Sequence, residues 1–424
     1  MSNPDTIESQ PSCVDPFEPG MISVAEALAR IEARVRPVHA CERLPIRECL
    51  ARVNNEAVLS PRDVPPLPNS AMDGYAIALD SLEPDAITSF EEVGTAFAGQ
   101  PFEGECGPGQ CVRIMTGALI PAGTDTVVMQ EQAQIGSDLR IRIDANHRAG
   151  ENIRLAGEDI AKGDTVIEAG VRLGPADLGI LASLGIGQLQ VKRKPVVAFF
   201  STGDELQSVG SPLEPGMIYD SNRYSLHGML ARLPVDILDL GVVRDNPEAM
   251  REVLSDAAAR ADLIISTGGV SVGEADFIKP ALADLGTTEF WKIAIKPGRP
   301  LTFGEIGSSI FMGLPGNPVA VMVTFNQFVA PAIEVLSGAA MHPPRLIAAR
   351  CLDRLRKKPG RTEFQRGVAT ISDDGHWQVG KTGKQGSGIL TSMSRANCFI
   401  VLPDDNAGVE PGDDVHIQFL DWAL

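Results

Sequence analysis

The stretch ISTGGVSVGEAD, Ile265 to Asp276, places Gly268, Gly269 and Gly273 after an apolar run and follows them with Glu274 and Asp276. Glycines let backbone N–H groups approach a ligand closely and cradle phosphate oxygens, helped by the positive end of a following helix. Carboxylates repel those same oxygens unless a cation lies between them. A hard cation such as Mg²⁺ would turn the acids into partners of phosphate. Glu205 and Asp245 occupy comparable positions, so Glu205, Asp245, Glu274 and Asp276 form the candidate Mg²⁺ set. Each acid taken singly reads more simply as a solvated turn residue or a helix cap.

The stretch has three counterparts: STGDE (201–205), KPGRP (296–300) and LPGNP (314–318). Each follows a run that reads as a strand, and each supplies Gly or Pro for a tight turn. One such loop is most simply a strand-to-helix connection. Four of them at one sheet edge point to a binding crevice. None of these four loops contains G-x-G-x-x-G or a P-loop Gly-Lys-Ser/Thr, so they lack the two commonest nucleotide fingerprints.

The elements that must hold these loops read as strands alternating with helices from 193 to 340. PVVAFF, VDILDLGVV, ADLIIS, FWKIAIK and IFMGL are the strands. SNRYSLHGMLARL, NPEAMREVLSDAAARA, a segment near 277–284 and the run from Pro318 to Leu336 are the helices. Alternation of this kind implies a mostly parallel sheet with ligands outside the carboxyl ends of its strands. Upstream, Ser23 and Glu26 have capping-box spacing ahead of Val24, Leu28, Ile31 and Val35 on one helical face. Residues 59–150 read as a mostly-β inserted module, with 21–58 and 151–192 as a helical and linker part around it. Residues 341–424 read as a small β-barrel or sandwich, and 1–20 as a disordered tail. The expected class is multidomain α/β, with a central three-layer domain flanked by mostly-β modules.

Bulk properties narrow the partners. The chain has 424 residues, too many for one core, and a formal charge of −18. That charge argues against nucleic acid or an acidic membrane, so an anionic substrate needs a local basic island. RLRKKPGR (354–361) is the most basic stretch, although Lys357 and Lys358 read equally well as a solvated strand end. Seven cysteines without a C-x-x-C pair indicate reduced thiols and a cytoplasmic location. No H-E-x-x-H occurs, and no apolar run is expected to approach the roughly 18 residues that span a bilayer.

The order NSAMDGYA, RIMTGA, GEDI, STGDEL, TGGVSVGEAD, IKPGRP, LPGNP, GRTEFQRG resembles the molybdopterin molybdenumtransferase (MoeA) family, related to the E domain of gephyrin. The likeness extends over nearly the whole chain from about residue 22. It implies insertion of molybdate into adenylylated molybdopterin, with Mg²⁺-dependent release of AMP, by a homodimer that can meet other proteins of molybdenum-cofactor synthesis. The family's functional positions fall on Asp73, Thr116, Asp159, Glu205, Asp245 and Asp276. Pro315, Gly316 and Pro318 join Gly268, Gly269 and Gly273 on the substrate side, and Lys296, Arg299, Pro300, Arg361 and Ser387 form the implied molybdate pocket. A dianion wants fixed cations and a hydroxyl, which agrees with that set. Departures are Pro68 where relatives often carry Asp, Arg299 for a common Lys, and Ala320 where Ser is frequent. Adenylylation of molybdopterin and a gephyrin-like scaffold are the alternatives; the flanking modules that carry Asp73, Thr116 and Arg361 favour insertion.

Overall fold

The computed structural model describes residues 20–268 and 278–420. Helix α1 (Val24–Arg34) starts where the capping spacing places it: the Ser23 hydroxyl accepts from the Glu26 N–H at 3.1 Å, and Ala27 and Ile31 bury one face. The chain forms two compact units, one of Arg43–Leu50 and Asn54–Gln190, the other of the remaining segments.

The first unit is the β-rich one. Its main sheet has six strands, β1 (Gly74–Ile77), β2 (Thr88–Ala96), β3 (Gln110–Ile114), β4 (Thr126–Met129), β5 (Gln134–Ile135) and β6 (Ile141–Ile143), ordered β4-β1-β3-β2-β6-β5. Alternate residues serve opposite faces, as strand geometry requires. Tyr75, Ile77, Phe90 and Val128 pack into one small core, and Ala76, Val112, Ile114 and Val127 into the other. Helix α2 (Pro175–Ser183) also belongs to this unit, with Pro175 at its first turn.

The second unit holds the alternating region. Its elements run β7 (Val196–Thr202), α3 (Ser221–Leu230), β8 (Asp236–Val243), α4 (Pro247–Arg260), β9 (Leu263–Thr267), α5 (Ile278–Leu285), β10 (Gly286–Lys292), β11 (Pro300–Ile306), β12 (Ser309–Leu314) and α6 (Pro318–Leu336). The sheet order is β8-β7-β9-β12-β11-β10, and the first four strands are mutually parallel. Both faces are covered, so β7 and β9 are continuous apolar runs rather than alternating ones. Val197, Phe199 and Ile265 face one core, and Ala198, Phe200 and Ile264 the other.

Three expectations need correction here. FWKIAIK is not one strand: β10 ends at Lys292, and Ile295–Lys296 leaves the sheet to pair with a strand of the C-terminal domain. The turn that follows contains Pro297, which has no N–H for a ladder, and Gly298 at φ +105°, so a straight strand cannot continue. PLTFGEI, not anticipated as a strand, is β11, antiparallel to both its neighbours. Finally, α6 is 19 residues long, and its most apolar window has a mean hydropathy of 1.6, enough by length and composition to cross a membrane. That window is 72% buried inside the protein, so its apolar side chains are covered by core. A π-helical turn at Phe325–Val329 precedes Pro331, where a proline without an N–H interrupts the regular ladder.

The C-terminal strands β13 (Ile347–Cys351), β14 (Thr362–Ile371), β15 (Trp377–Lys381), β16 (Cys398–Leu402) and β17 (Asp414–Phe419) close on themselves in the order β14-β15-β13-β17-β16-β14. The result is a small barrel, cored by Cys351, Val379, Cys398, Ile400 and Ile417.

Candidate functional site

Strand direction places the four Gly/Pro loops. STGDE leaves β7, Gly268 leaves β9 and LPGNP leaves β12, all at the carboxyl edge of the parallel strands. β10 runs antiparallel to β11, and β11 antiparallel to β12, so β10 points the same way as β12. Its connection to β11 through KPGRP therefore returns at the same edge.

Gly268 is required by space and by backbone conformation. Gly268 adopts φ +85°, and a Cβ on it would stand 2.4 Å from the Thr202 carbonyl oxygen. A Cβ on Gly316 would lie 3.9 Å from the Gly268 Cα, so these two loops run side by side. The Asn222 side-chain amide at the start of α3 donates to the Gly316 carbonyl at 2.8 Å. Pro318 takes the first turn of α6 behind the Asn317 cap residue.

On the β7/β8 side the edge is acidic. The Thr202 hydroxyl donates to the Asp245 carboxylate, and the Asp245 N–H donates to the Asp204 carboxylate at 3.3 Å. The Glu205 carboxylate folds back over its own turn, where a Cβ on Gly203 would meet it at 2.7 Å. Gly269, Gly273, Glu274 and Asp276 lie outside the described residues. Among the described residues no three acids, histidines or cysteines converge as a metal cage. Mg²⁺ does not need one, since it commonly uses one or two carboxylates, substrate phosphates and water. Glu205 and Asp245 supply oxygen donors of that kind.

On the β10/β12 side the edge is basic. A cavity of about 790 Å³ opens there, walled by Lys296, Arg299 and Pro300 of the hairpin, Pro315 and Gly316 of the LPGNP loop, and Arg361 and Ser387 of the C-terminal domain. The implied molybdate residues thus line one cavity. Reasoning from sequence missed Arg354, Arg356, Arg366, Lys381 and Gln385, which line it as well. Arg354 and Arg356 stand two apart in RLRKKPGR, and that period could have flagged them as sharing a strand face. Lys381 and Gln385 come from beyond the next strand, and only folding brings them near.

Glu363 is the one acid among the described lining residues. It is buried, accepts from the Lys296 ammonium at 2.9 Å through one oxygen and from the Gln365 amide at 3.1 Å through the other. Lys357 does not belong to a solvated strand end. It is 7% exposed, and its ammonium donates to the carbonyls of Asn406 (2.8 Å), Asp404 (3.1 Å) and Lys358 (3.3 Å). Burial pushes that ammonium below its ordinary range. It fixes a turn rather than facing the cavity.

Asp73 and Thr116 belong to the β-rich unit. One Asp73 carboxylate oxygen accepts from both the N–H and the hydroxyl of Thr116, each at 2.7 Å. These two bonds, with Arg113 adding charge, hold the carboxyl below the usual range, so it stays ionised at neutral pH. Gly74 beside it admits no side chain, because a Cβ would lie 1.9 Å from the Val128 carbonyl oxygen. Asp159 sits on a separate exposed turn whose N–H donates to Val64.

Comparison with known proteins follows the same division. Residues 22–185 match the MoeA N-terminal region (domain I and II), 198–335 a probable molybdopterin binding domain, and 348–420 the MoeA C-terminal region (domain IV). A molybdopterin molybdenumtransferase of Haemophilus influenzae is 42% identical over 400 residues, covering 94% of this chain and 98% of its own. A gephyrin of Dictyostelium discoideum is 33% identical, covering 88% of this chain and 58% of its own. The crystal structure of a molybdopterin biosynthesis MoeA protein from Pyrococcus horikoshii superposes with a TM-score of 0.80 at 29% identity, covering 94% of this chain and all of that one. With a crevice edge that is acidic at one end and basic at the other, and with relatives of this identity along nearly its full length, the chain belongs to the MoeA family of molybdopterin molybdenumtransferases.

Proposed function

We propose that this protein inserts molybdate into adenylylated molybdopterin with Mg²⁺-dependent release of AMP. The observation that carries the reading is the basic cavity: seven Lys and Arg side chains against one acid in its described lining, in a chain of net charge −18. A fixed, partly buried array of cations suits a small dianion, and each charge-assisted hydrogen bond to it contributes about 1.5–3 kcal/mol. Lys296, Arg299 and Arg361 hold the molybdate oxygens, with Pro300 and Ser387 shaping the wall. Gly268 and Gly316 let the backbone approach the phosphate portion of the substrate, with Gly269, Gly273, Pro315 and Pro318 completing those loops. Glu205 and Asp245, with Glu274 and Asp276, would hold Mg²⁺. Bound there, the cation would offset charge on the phosphate oxygens.

Asp73, Thr116 and Asp159 join the reaction in this proposal, and the Asp73 carboxylate, hydrogen-bonded by Thr116, supplies an ionised, oriented acceptor. Homodimer assembly, a cytoplasmic location and the division at residues 21–58 with 151–192, 59–150, 193–340 and 341–424 belong to the same reading. The test is AMP release by purified protein given adenylylated molybdopterin, with and without molybdate and Mg²⁺. Release that needs both is expected. Consumption of ATP with molybdopterin would instead assign the adenylylation step, and no turnover of either would leave a scaffold.

A further inference from the structure

Arg366 on β14 is 1% exposed and heads the fully buried side chains by volume. A cation so buried normally sits against a carboxylate. Its bonding partners here are neutral: Nε donates to the Ser392 hydroxyl at 3.1 Å, and Nη2 to the Gly386 carbonyl at 3.0 Å. Burial pushes its pKa down to about 10, and no acid among the described residues offsets that.

What it holds is one wall of the basic cavity. The Arg366 N–H donates to the Gln385 side-chain oxygen at 2.7 Å, and its carbonyl accepts from the Gln385 amide at 3.1 Å and from the Thr382 N–H at 3.0 Å. One residue later in that wall than Gly386, the Ser387 carbonyl accepts from the Val319 N–H at 3.0 Å, in the first turn of α6. Arg366, Gln385 and Ser387 all line the cavity, and so does Ala320 from α6. The guanidinium therefore ties the wall of the C-terminal domain to the helix that starts behind LPGNP.

We propose that Arg366 is a positioning residue of the oxyanion cavity: it fixes the Gly383–Ser387 wall against the start of α6, and the bound oxyanion is the counter-charge that this buried cation lacks among the described residues. The inference rests on the molybdate reading of the cavity. It differs from that reading in assigning the effect to a side chain too enclosed to be an ordinary contact.

The test is calorimetric titration of the full-length protein with sodium molybdate, paired with AMP release at varied molybdate, for the parent and for Arg361→Ala, Arg366→Lys, Arg366→Met and Ser392→Ala. Arg366→Met is expected to weaken molybdate binding about tenfold or more, the size of one lost charge-assisted contact. Arg366→Lys should recover part of the loss, because it keeps the charge without the fork. Ser392→Ala, which does not line the cavity, should weaken binding severalfold. In all three the AMP-release rate at saturating molybdate should stay near the parent's, a split that general misfolding would not give. Should Arg366→Met not fold, the Lys and Ser392 variants decide. Parent-like molybdate binding in the Arg366 and Ser392 variants, with Arg361→Ala weakened, overturns the inference alone. No molybdate binding by the parent, or none lost in Arg361→Ala, overturns the cavity reading and this inference with it.

Discussion

The two ends of one sheet edge are built from similar loops and differ in charge. At the β7/β8 end, STGDE and the turn after β8 present Asp204, Glu205 and Asp245, knit by Thr202. At the β10/β12 end, KPGRP and LPGNP meet the C-terminal domain, and Lys296, Arg299 and Arg361 share a cavity whose one described acid, Glu363, is engaged by Lys296 and Gln365. The backbone solution is the same at both, tight turns of Gly and Pro at strand ends, so the ligand preference comes from the side chains set on them. An acidic end accepts a cation and, through it, phosphate; a basic end accepts a bare dianion. Net charge tells neither end apart, because screening over roughly 8 Å isolates them at physiological salt.

The sharpest break of this comparison is a double dissociation. Arg361→Ala should raise the molybdate concentration for half-maximal insertion about tenfold or more, from the loss of roughly 1.5–3 kcal/mol, and leave the Mg²⁺ requirement unchanged. Asp245→Asn should do the reverse. Titrating each component in the AMP-release assay checks both, and crossed effects would mean that the two ends act as one site.

Between the ends lies Gly268, where the loops after β9 and β12 touch. Gly268→Ala puts a Cβ 2.4 Å from the Thr202 carbonyl oxygen at a φ of +85°. The overpacking and the left-handed backbone together should lower stability by about 2–3 kcal/mol. Chemical denaturation of the variant reads that loss directly. A parent-like midpoint would show that the edge relaxes and that the loops are not held as rigidly as their packing indicates.

The smallest expected effect concerns Glu363. Glu363→Gln removes the acid that engages Lys296, whose side chain is half exposed. For a pair with one partner in solvent the change should be no more than about 1 kcal/mol, a severalfold tighter hold on molybdate. Weaker binding would instead make Glu363 an organiser that Lys296 needs for its orientation.

Much of the central sheet could be read along the chain because its signals are local. The Ser23 cap, the apolar runs of β7 and β9, and the Pro247 first turn each depend on residues within a few positions. β11 was not legible, since its Pro300 start looks like the end of a loop, and only antiparallel pairing on both sides makes it a strand. Lys357 misled for a related reason. Its sequence neighbours are basic and polar, while the carbonyls of Asp404 and Asn406 that enclose it come from about 50 residues away.

By itself the sequence determined the order of elements, the Gly and Pro positions that permit close backbone approach, and the supply of acids and cations. Those properties follow from short-range sterics and residue chemistry. Tertiary structure alone decided which charges meet. Strand order and direction brought KPGRP and LPGNP to one edge, and the barrel then set Arg354, Arg356 and Lys381 around the same cavity. It also enclosed Arg366 with no carboxylate among the described residues beside it. The physical reason is that burial and electrostatic pairing depend on distance in space, and contacts between residues far apart in sequence have no signature along the chain.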